Sequence, residues 1–448
     1  MISKVDDEKA IEVSVLVEKL DGEVLFDYRS KRNLTLASNT KLFTTSAALL
    51  ELGADFRWHT RALRYKNDLA IVGDGDPSLY RTASGVDAAQ ELVVELLQSL
   101  RAVQVSKIET LYIDGSIFSD QRHPLWPLEH SYDYFCAPPT ALSVNTSCID
   151  IDYDGRAPSF YPALGKSIKI AHYGKPSSFL SAWWADEGST LWLRLPSAKQ
   201  SAVAASAKYA VPDGLEFFGW WLNDQLTESG ISVEQIVIAE KPNWPHETVL
   251  LDFESKLNLS DVVHQINKES NNFMAEMVLK KLGSVNNSHG SFAAGVSAVK
   301  NILLERLPSV AQLSQIDGSG MARSTAINNS ASPKLLCDLL RMMCFEPQGV
   351  DWFDSLAVGG LDGTISSRFT DAVFQPQRIH AKTGFIYSKQ STDGSGASSL
   401  SGYLLLPDNE IAVFSFLVNF QRKINTNTNN RRFKSLQQQF LKQLIKEY

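Results

Sequence analysis

The stretch Ala37-Ser38-Asn39-Thr40-Lys41-Leu42-Phe43-Thr44, with the run behind it, constrains the fold more than any other part of the chain. Polar residues open it, Ala47, Ala48, Leu49, Leu50 and Leu52 continue it, and Gly53 follows. This pattern predicts a buried helix with a glycine stop. A buried helix needs another layer against it, and both chain ends supply strand patterns. Residues 11–17 and 23–28 read as strands around the turn Leu20-Asp21-Gly22. Residues 400–405 and 411–418 repeat the grammar around Pro407-Asp408-Asn409, before a helix over 432–446 with Phe433, Leu436, Phe440, Leu441 and Leu444 on one face. The expected class is α+β: one antiparallel sheet built from N- and C-terminal pieces and flanked by helices.

A length of 448 residues exceeds what one core ordinarily serves, so two or three domains, or one domain with a large insertion, are expected. The pattern changes between Trp58 and about Trp244, where short strands at 69–72, 110–113 and 190–195 alternate with turns, a helix is expected over 88–100, and tryptophans are dense. We therefore expect residues 1–58 and 245–448 to form one domain and 59–244 an inserted β-rich domain, of one or two subdomains.

Three places carry candidate chemistry. Ser38 and Lys41 lie three residues apart on one helix face, so the amine can reach the hydroxyl. A serine hydroxyl is a weak nucleophile at neutral pH, and a neutral amine beside it can take its proton. The helix N-terminus also offers positive potential to developing negative charge. Ser270-Asn271-Asn272 separates two helical patterns and suits a break whose short polar side chains turn inward. Lys382-Thr383-Gly384 lies on an expected strand over 378–386, where the glycine permits close approach of a ligand or another backbone.

Other classes fit less well. A net charge of -7 argues against a nucleic-acid surface. No segment is long and apolar enough for a membrane span. His246-Glu247 lacks the second histidine of the zinc-binding helix motif, His380 reads as structural, and no metal or other cofactor is expected. There is no Gly-x-Ser-x-Gly elbow. Cys337 and Cys344, two helical turns apart, are too far to bridge, whereas Cys136 and Cys148 could pair. The first eight residues lack the apolar core of a signal peptide, so the protein is either cytoplasmic or has lost a leader.

Serine-x-x-lysine, Ser-x-Asn and Lys-Thr-Gly in this order form the motif set of penicillin-recognising serine enzymes. With the long gap between the first two, the chain resembles the class C low-molecular-mass penicillin-binding proteins, the D-alanyl-D-alanine carboxypeptidase/endopeptidase family of penicillin-binding protein 4 (DacB). Gly75-Asp76-Pro77, Ile113-Asp114-Gly115-Ser116, Ala137-Pro138-Pro139, Asp317-Gly318-Ser319-Gly320 and Asp362-Gly363-Thr364 look like further landmarks of that family. The resemblance implies a transpeptidase/β-lactamase-like domain, export to a periplasmic or other extracytoplasmic wall compartment, peptidoglycan stem peptides as substrate and β-lactams as covalent inhibitors. It implies Ser38 as nucleophile, Lys41 as its base, Ser270 and Asn272 on the facing wall, Lys382 as a catalytic source of positive potential near the serine and the substrate carboxylate, and Thr383, Gly384 and Phe385 along the substrate. A β-lactamase or esterase on this scaffold, and a non-catalytic peptidoglycan-binding protein, are the alternatives. Two positions depart from the usual motifs: Asn271 replaces a frequent aspartate, and Phe385 stands where serine or threonine is commoner.

Overall fold

Alternating apolar residues at the two chain ends meet in a single sheet. The computed structural model describes residues 2–6, 11–174, 179–196, 204–285, 287, 289–324, 327–375, 377–387, 396–407, 409–421 and 426–448. Six strands line up in the order Ala357–Val358, Ile379–Tyr387, Gly396–Leu405, Ile411–Phe420, Ile11–Lys19 and Val24–Tyr28, all antiparallel. Val13, Val15, Val17, Phe414, Phe416 and Val418 recur at the two-residue period of a strand and face Phe433, Phe440, Leu441 and Leu444 of the helix Thr426–Glu447. That helix begins six residues before the expected one. Of the expected turn 407–409, Asp408 lies outside the described residues.

Helix Pro333–Met343 also packs on this sheet, through Tyr403 Oη donating to Leu340 O at 2.7 Å and the Cys337 thiol on Leu16 O. The helix Thr40–Leu52 is buried on every side from Thr40 to Leu49, its small polar residues included, and ends at Gly53. Its Thr45 hydroxyl receives hydrogen bonds from Trp352 Nε1 at 2.9 Å and Asn267 Nδ2 at 3.3 Å.

The chain divides into two compact units: Met1–Phe56, Leu259–Gly283 and Phe292–Tyr448 in the first, Arg57–Asn258 and Ser284–Ser291 in the second. The second unit thus runs past the expected boundary at 244. The strand Thr248–Glu254 explains the difference, because it pairs antiparallel with His59–Tyr65 and completes a sheet. Among the described residues, the second unit is rich in strands and has one α-helix beyond that expected over 88–100. Its five-stranded sheet, ordered Ser232–Ile238, Lys107–Asp114, Asp68–Val72, His59–Tyr65 and Thr248–Glu254, includes two parallel pairs, which require crossovers. Helices Ala88–Ala102 and Gly214–Glu228 provide them. The second helix holds Trp220 and Trp221, and its start is written in Asp213, whose carboxylate accepts from Glu216 N at 2.9 Å. Cys136 and Cys148 are buried thiols that form no disulfide with each other, and burial pushes the Cys148 thiol up to about 12.

Candidate active site

Ser38 sits on the single 3₁₀ turn Ala37–Asn39 that leads into helix Thr40–Leu52. Ala37 is held at φ 47°, a left-handed conformation that costs an alanine energy and commonly marks a functional turn. Gly320 presses on the same turn: a Cβ there would lie 1.9 Å from Ala37 O, so only glycine fits. One helical turn after the serine, Lys41 returns its amine to the hydroxyl, with Nζ 3.0 Å from Ser38 Oγ. The same nitrogen lies 2.7 Å from Asn272 Oδ1 and 2.9 Å from Ser319 O. Two of these partners are acceptors only. A neutral amine donating to both turns its lone pair toward the Ser38 proton.

Burial decides the charge state. Lys41 is wholly inaccessible, which lowers its pKa to about 7 against the opposing pull of Glu276 and Asp317. Ser38 keeps partial exposure. The Ser38 hydroxyl is thus reachable while the amine beside it is dry.

Ser270 and Asn272 arrive from the corner between helices Leu259–Lys268 and Asn272–Val285. Ser270 adopts φ 60°, which breaks the helical path. Asn271 Oδ1 accepts from Met274 N at 3.1 Å, a capping bond that starts the second helix. Asparagine serves there as well as aspartate, so this departure from the usual motif has a local structural role. Asn272 follows with its carbonyl on Lys41.

Strand Ile379–Tyr387 brings the third element. Alternation sends Ile379 and Ala381 into the apolar core, so His380, Lys382 and Gly384 share the other face. Lys382 is fully buried, donates to Ser270 Oγ at 2.9 Å and to Thr383 O at 3.0 Å, and is held well below its ordinary pKa by burial and then by Lys41. His380 stacks on Phe353 with ring centroids 4.3 Å apart. Gly384 lets the strand run against the serine turn: a Cβ would meet Ser399 Oγ at 2.2 Å, Leu36 O at 2.8 Å and Ser38 N at 2.9 Å. Thr383 Oγ1 bonds Thr364 Oγ1 at 2.8 Å. Phe385 is 36% exposed and lies over Phe420, planes 24° apart. All eight candidate residues therefore belong to the first unit. Hydrogen bonds and close approach link Ser38, Lys41, Asn272 and Gly384 in one group, and Lys382 with Ser270 in a second beside Thr383.

Several supporting residues escaped sequence reasoning. Glu276, one turn beyond Asn272 and wholly buried, accepts from Gly318 N at 2.7 Å and Ser319 N at 2.8 Å, which aims the Ser319 carbonyl at Lys41. Burial and Asp317 raise its pKa to about 8, against those hydrogen bonds. Asp317 gathers Gly320 N, Met321 N and Ala322 N, and Thr44 donates to Gly318 O at 2.9 Å. Asp362 pairs with Lys268 at 2.6 Å and so anchors the loop that carries Thr364. A charged residue inside the apolar run 273–282 was the available signal for Glu276.

Residues 3–440 match the family described as D-Ala-D-Ala carboxypeptidase 3 (S13). The D-alanyl-D-alanine carboxypeptidase of Actinomadura sp. (strain R39) is 28% identical over 446 residues, covering 92% of this chain and 78% of the relative. The D-alanyl-D-alanine carboxypeptidase DacB of Haemophilus influenzae is 24% identical, covering 89% and 83%. Among solved structures, penicillin-binding protein 4 (dacB) of Haemophilus influenzae superposes with TM-score 0.76 at 22% identity, covering 95% of this chain and 94% of that one. The same protein complexed with a novel β-lactam gives TM-score 0.72 at 21% identity, with the same coverage. These structures share the penicillin-recognising α+β fold.

Proposed function

The chain belongs to the D-Ala-D-Ala carboxypeptidase 3 (S13) family and is a serine-type DD-peptidase acting on peptidoglycan; from that premise we propose how its side chains divide the work. Ser38 Oγ attacks the carbonyl between two D-alanines and passes its proton to the Lys41 lone pair. The bond to the terminal D-alanine breaks, its nitrogen takes a proton relayed through Ser270, and the rest of the peptide stays on Ser38 as an ester. Water then attacks the ester and restores the hydroxyl. Asn272 holds Lys41 and the substrate amide. The backbone N–H groups of Ser38 and Phe385 receive the developing oxyanion, a contact type worth roughly a hundred- to thousand-fold in rate.

Lys382 and Thr383 take the substrate's terminal carboxylate. Burial and then Lys41 depress Lys382, and an arriving carboxylate favours its charged form. The single observation that carries the assignment is the Lys41 amine, dry and lowered to about 7, set between Ser38 Oγ, Asn272 Oδ1 and Ser319 O. β-Lactams acylate the same serine in this reading, as the β-lactam complex of the Haemophilus protein suggests by analogy. The substrate implies an extracytoplasmic compartment. No helix among the described residues is long and apolar enough to cross a membrane.

Phe385 supplies no hydroxyl for the carboxylate, and its ring lies over Phe420. This favours internal cross-links over free termini. The test is digestion of purified muropeptides resolved by chromatography. The native chain should release D-alanine or cleave cross-links and Ser38→Ala should do neither; equal activity of the two would overturn the assignment.

A further inference from the structure

In the second unit, strand register gathers three aromatic rings on one face of a small sheet. Ser181–Ala185 runs antiparallel to Thr190–Arg194, which runs parallel to Lys169–His172. Side chains alternate along these strands. Trp184, Leu191 and Leu193 turn inward and are buried. The other face carries Trp183 opposite Trp192, with Tyr173 at the end of the third strand. The two indole planes lie within 6° of parallel at 6.4 Å, and Tyr173 meets them edge-on at 5.1 and 6.1 Å. Tyr173 is 50% exposed. Trp183 and Trp192 are half-buried beside it, and an outward apolar patch rimmed by polar residues is the kind of surface that marks an interaction site.

Charge singles the face out further. The Arg194 guanidinium lies 5.5 Å from the Tyr173 ring centroid, and its buried Nε has no hydrogen-bond partner. Neither Arg194 nor exposed Lys169 forms an ion pair among the described residues, whereas Lys107, Lys241 and Lys256 of the same unit each do. The register positions of the face, Lys169, Ala171, Ser181, Trp183, Ala185, Thr190, Trp192 and Arg194, include no carboxylate. Two unpaired cations beside three rings, in a chain of net charge -7, suit an acidic ligand with apolar faces.

We propose that this face holds the glycan strand of peptidoglycan, with sugar rings on Trp183, Trp192 and Tyr173 and stem-peptide carboxylates on Arg194 and Lys169. It rests on the peptidoglycan substrate named above and adds a polymer-holding site with no part in bond cleavage. A pyranose offers a face of C–H bonds, which the electron-rich side of an aromatic ring attracts. An unpaired guanidinium offers paired donors to a carboxylate.

The test is co-sedimentation with purified, intact peptidoglycan sacculi in a Ser38→Ala background, so that the probe is not consumed. Trp183→Ala/Trp192→Ala should raise the half-saturating sacculus concentration about tenfold, and Arg194→Gln should raise it severalfold. In the Ser38 background both should release D-alanine from a soluble D-Ala-D-Ala peptide at the native rate. Unchanged sacculus binding by the double variant overturns the proposal. If that variant melts early, Arg194→Gln decides beside Trp192→Phe: the first must weaken binding while the second keeps it, and native binding by Arg194→Gln is a refutation. Gel filtration showing a native dimer that the double variant dissociates, with sacculus binding intact, assigns the face to a second copy and also overturns it. Failure of the peptidase reading would register in peptide release alone.

Discussion

Replacing Gly384 with alanine adds one methyl group where the strand runs tightly against the serine turn. The new carbon would stand 2.2 Å from Ser399 Oγ, 2.8 Å from Leu36 O and 2.9 Å from Ser38 N. Two of these atoms are backbone. The third is held in place, since Ser399 Oγ lies 2.7 Å from both Leu36 O and Asn39 Oδ1. The strand must therefore retreat from the serine turn, and overpacking of this kind costs about 1–3 kcal/mol of stability. The chain should still fold, because the clash touches one edge of a large core. Catalysis should suffer more. The retreat carries the Phe385 N–H away from the oxyanion, and misplacing or losing such a donor costs roughly a hundred- to thousand-fold in rate. The assay is the second-order rate of acylation by a fluorescent penicillin, beside a thermal melt. A folded Gly384→Ala that acylates within about threefold of the native rate would refute the proposed oxyanion geometry.

Three further outcomes follow from the same site. Because the base must be unprotonated and Lys41 is lowered to about 7, acylation should rise with pH, about one-tenth of the amine being neutral at pH 6 and about nine-tenths at pH 8; a rate flat from pH 5.5 to 8.5 contradicts the assignment of Lys41. Glu276→Gln sets an amide N–H₂ against Gly318 N or Ser319 N, so urea unfolding should show a loss of about 1–3 kcal/mol, and an unchanged midpoint and slope would contradict the account of that anchor. Phe385→Ser restores a hydroxyl near the carboxylate, so D-alanine release from a free pentapeptide should rise relative to cross-link cleavage; a fall in that ratio counts against the role given to Phe385.

What was legible in the sequence, and what was not, divides along physical lines. Helix Pro333–Met343 begins at Pro333 just after Ser332, whose hydroxyl accepts from Leu335 N, and such local signals need no knowledge of the fold. Ser38, Ser270 and Lys382 carry a recognisable spacing of residue types. Glu276 does not: its importance lies in two amides 42 and 43 residues away, which only the folded chain brings within reach. Helix Gly214–Glu228 was missed although Asp213 and Glu216 form a helix-start signature. Phe217, Phe218, Trp220 and Trp221 read as strand formers locally, but tertiary burial of one helix face overrides that preference. The boundary near 258 depended on Thr248–Glu254 finding its partner nearly two hundred residues earlier in the sequence, about the least local information a chain contains.

The most direct measurement is intact mass after exposure to a β-lactam, for the native chain and for Ser38→Ala, followed by peptide mapping of any adduct. One adduct per native chain, mapped to Ser38 and missing from the variant, is the predicted result. An unmodified native chain, or the same adduct on Ser38→Ala, would contradict the claim that Ser38, drawn upon by a dry Lys41 amine, is the nucleophile.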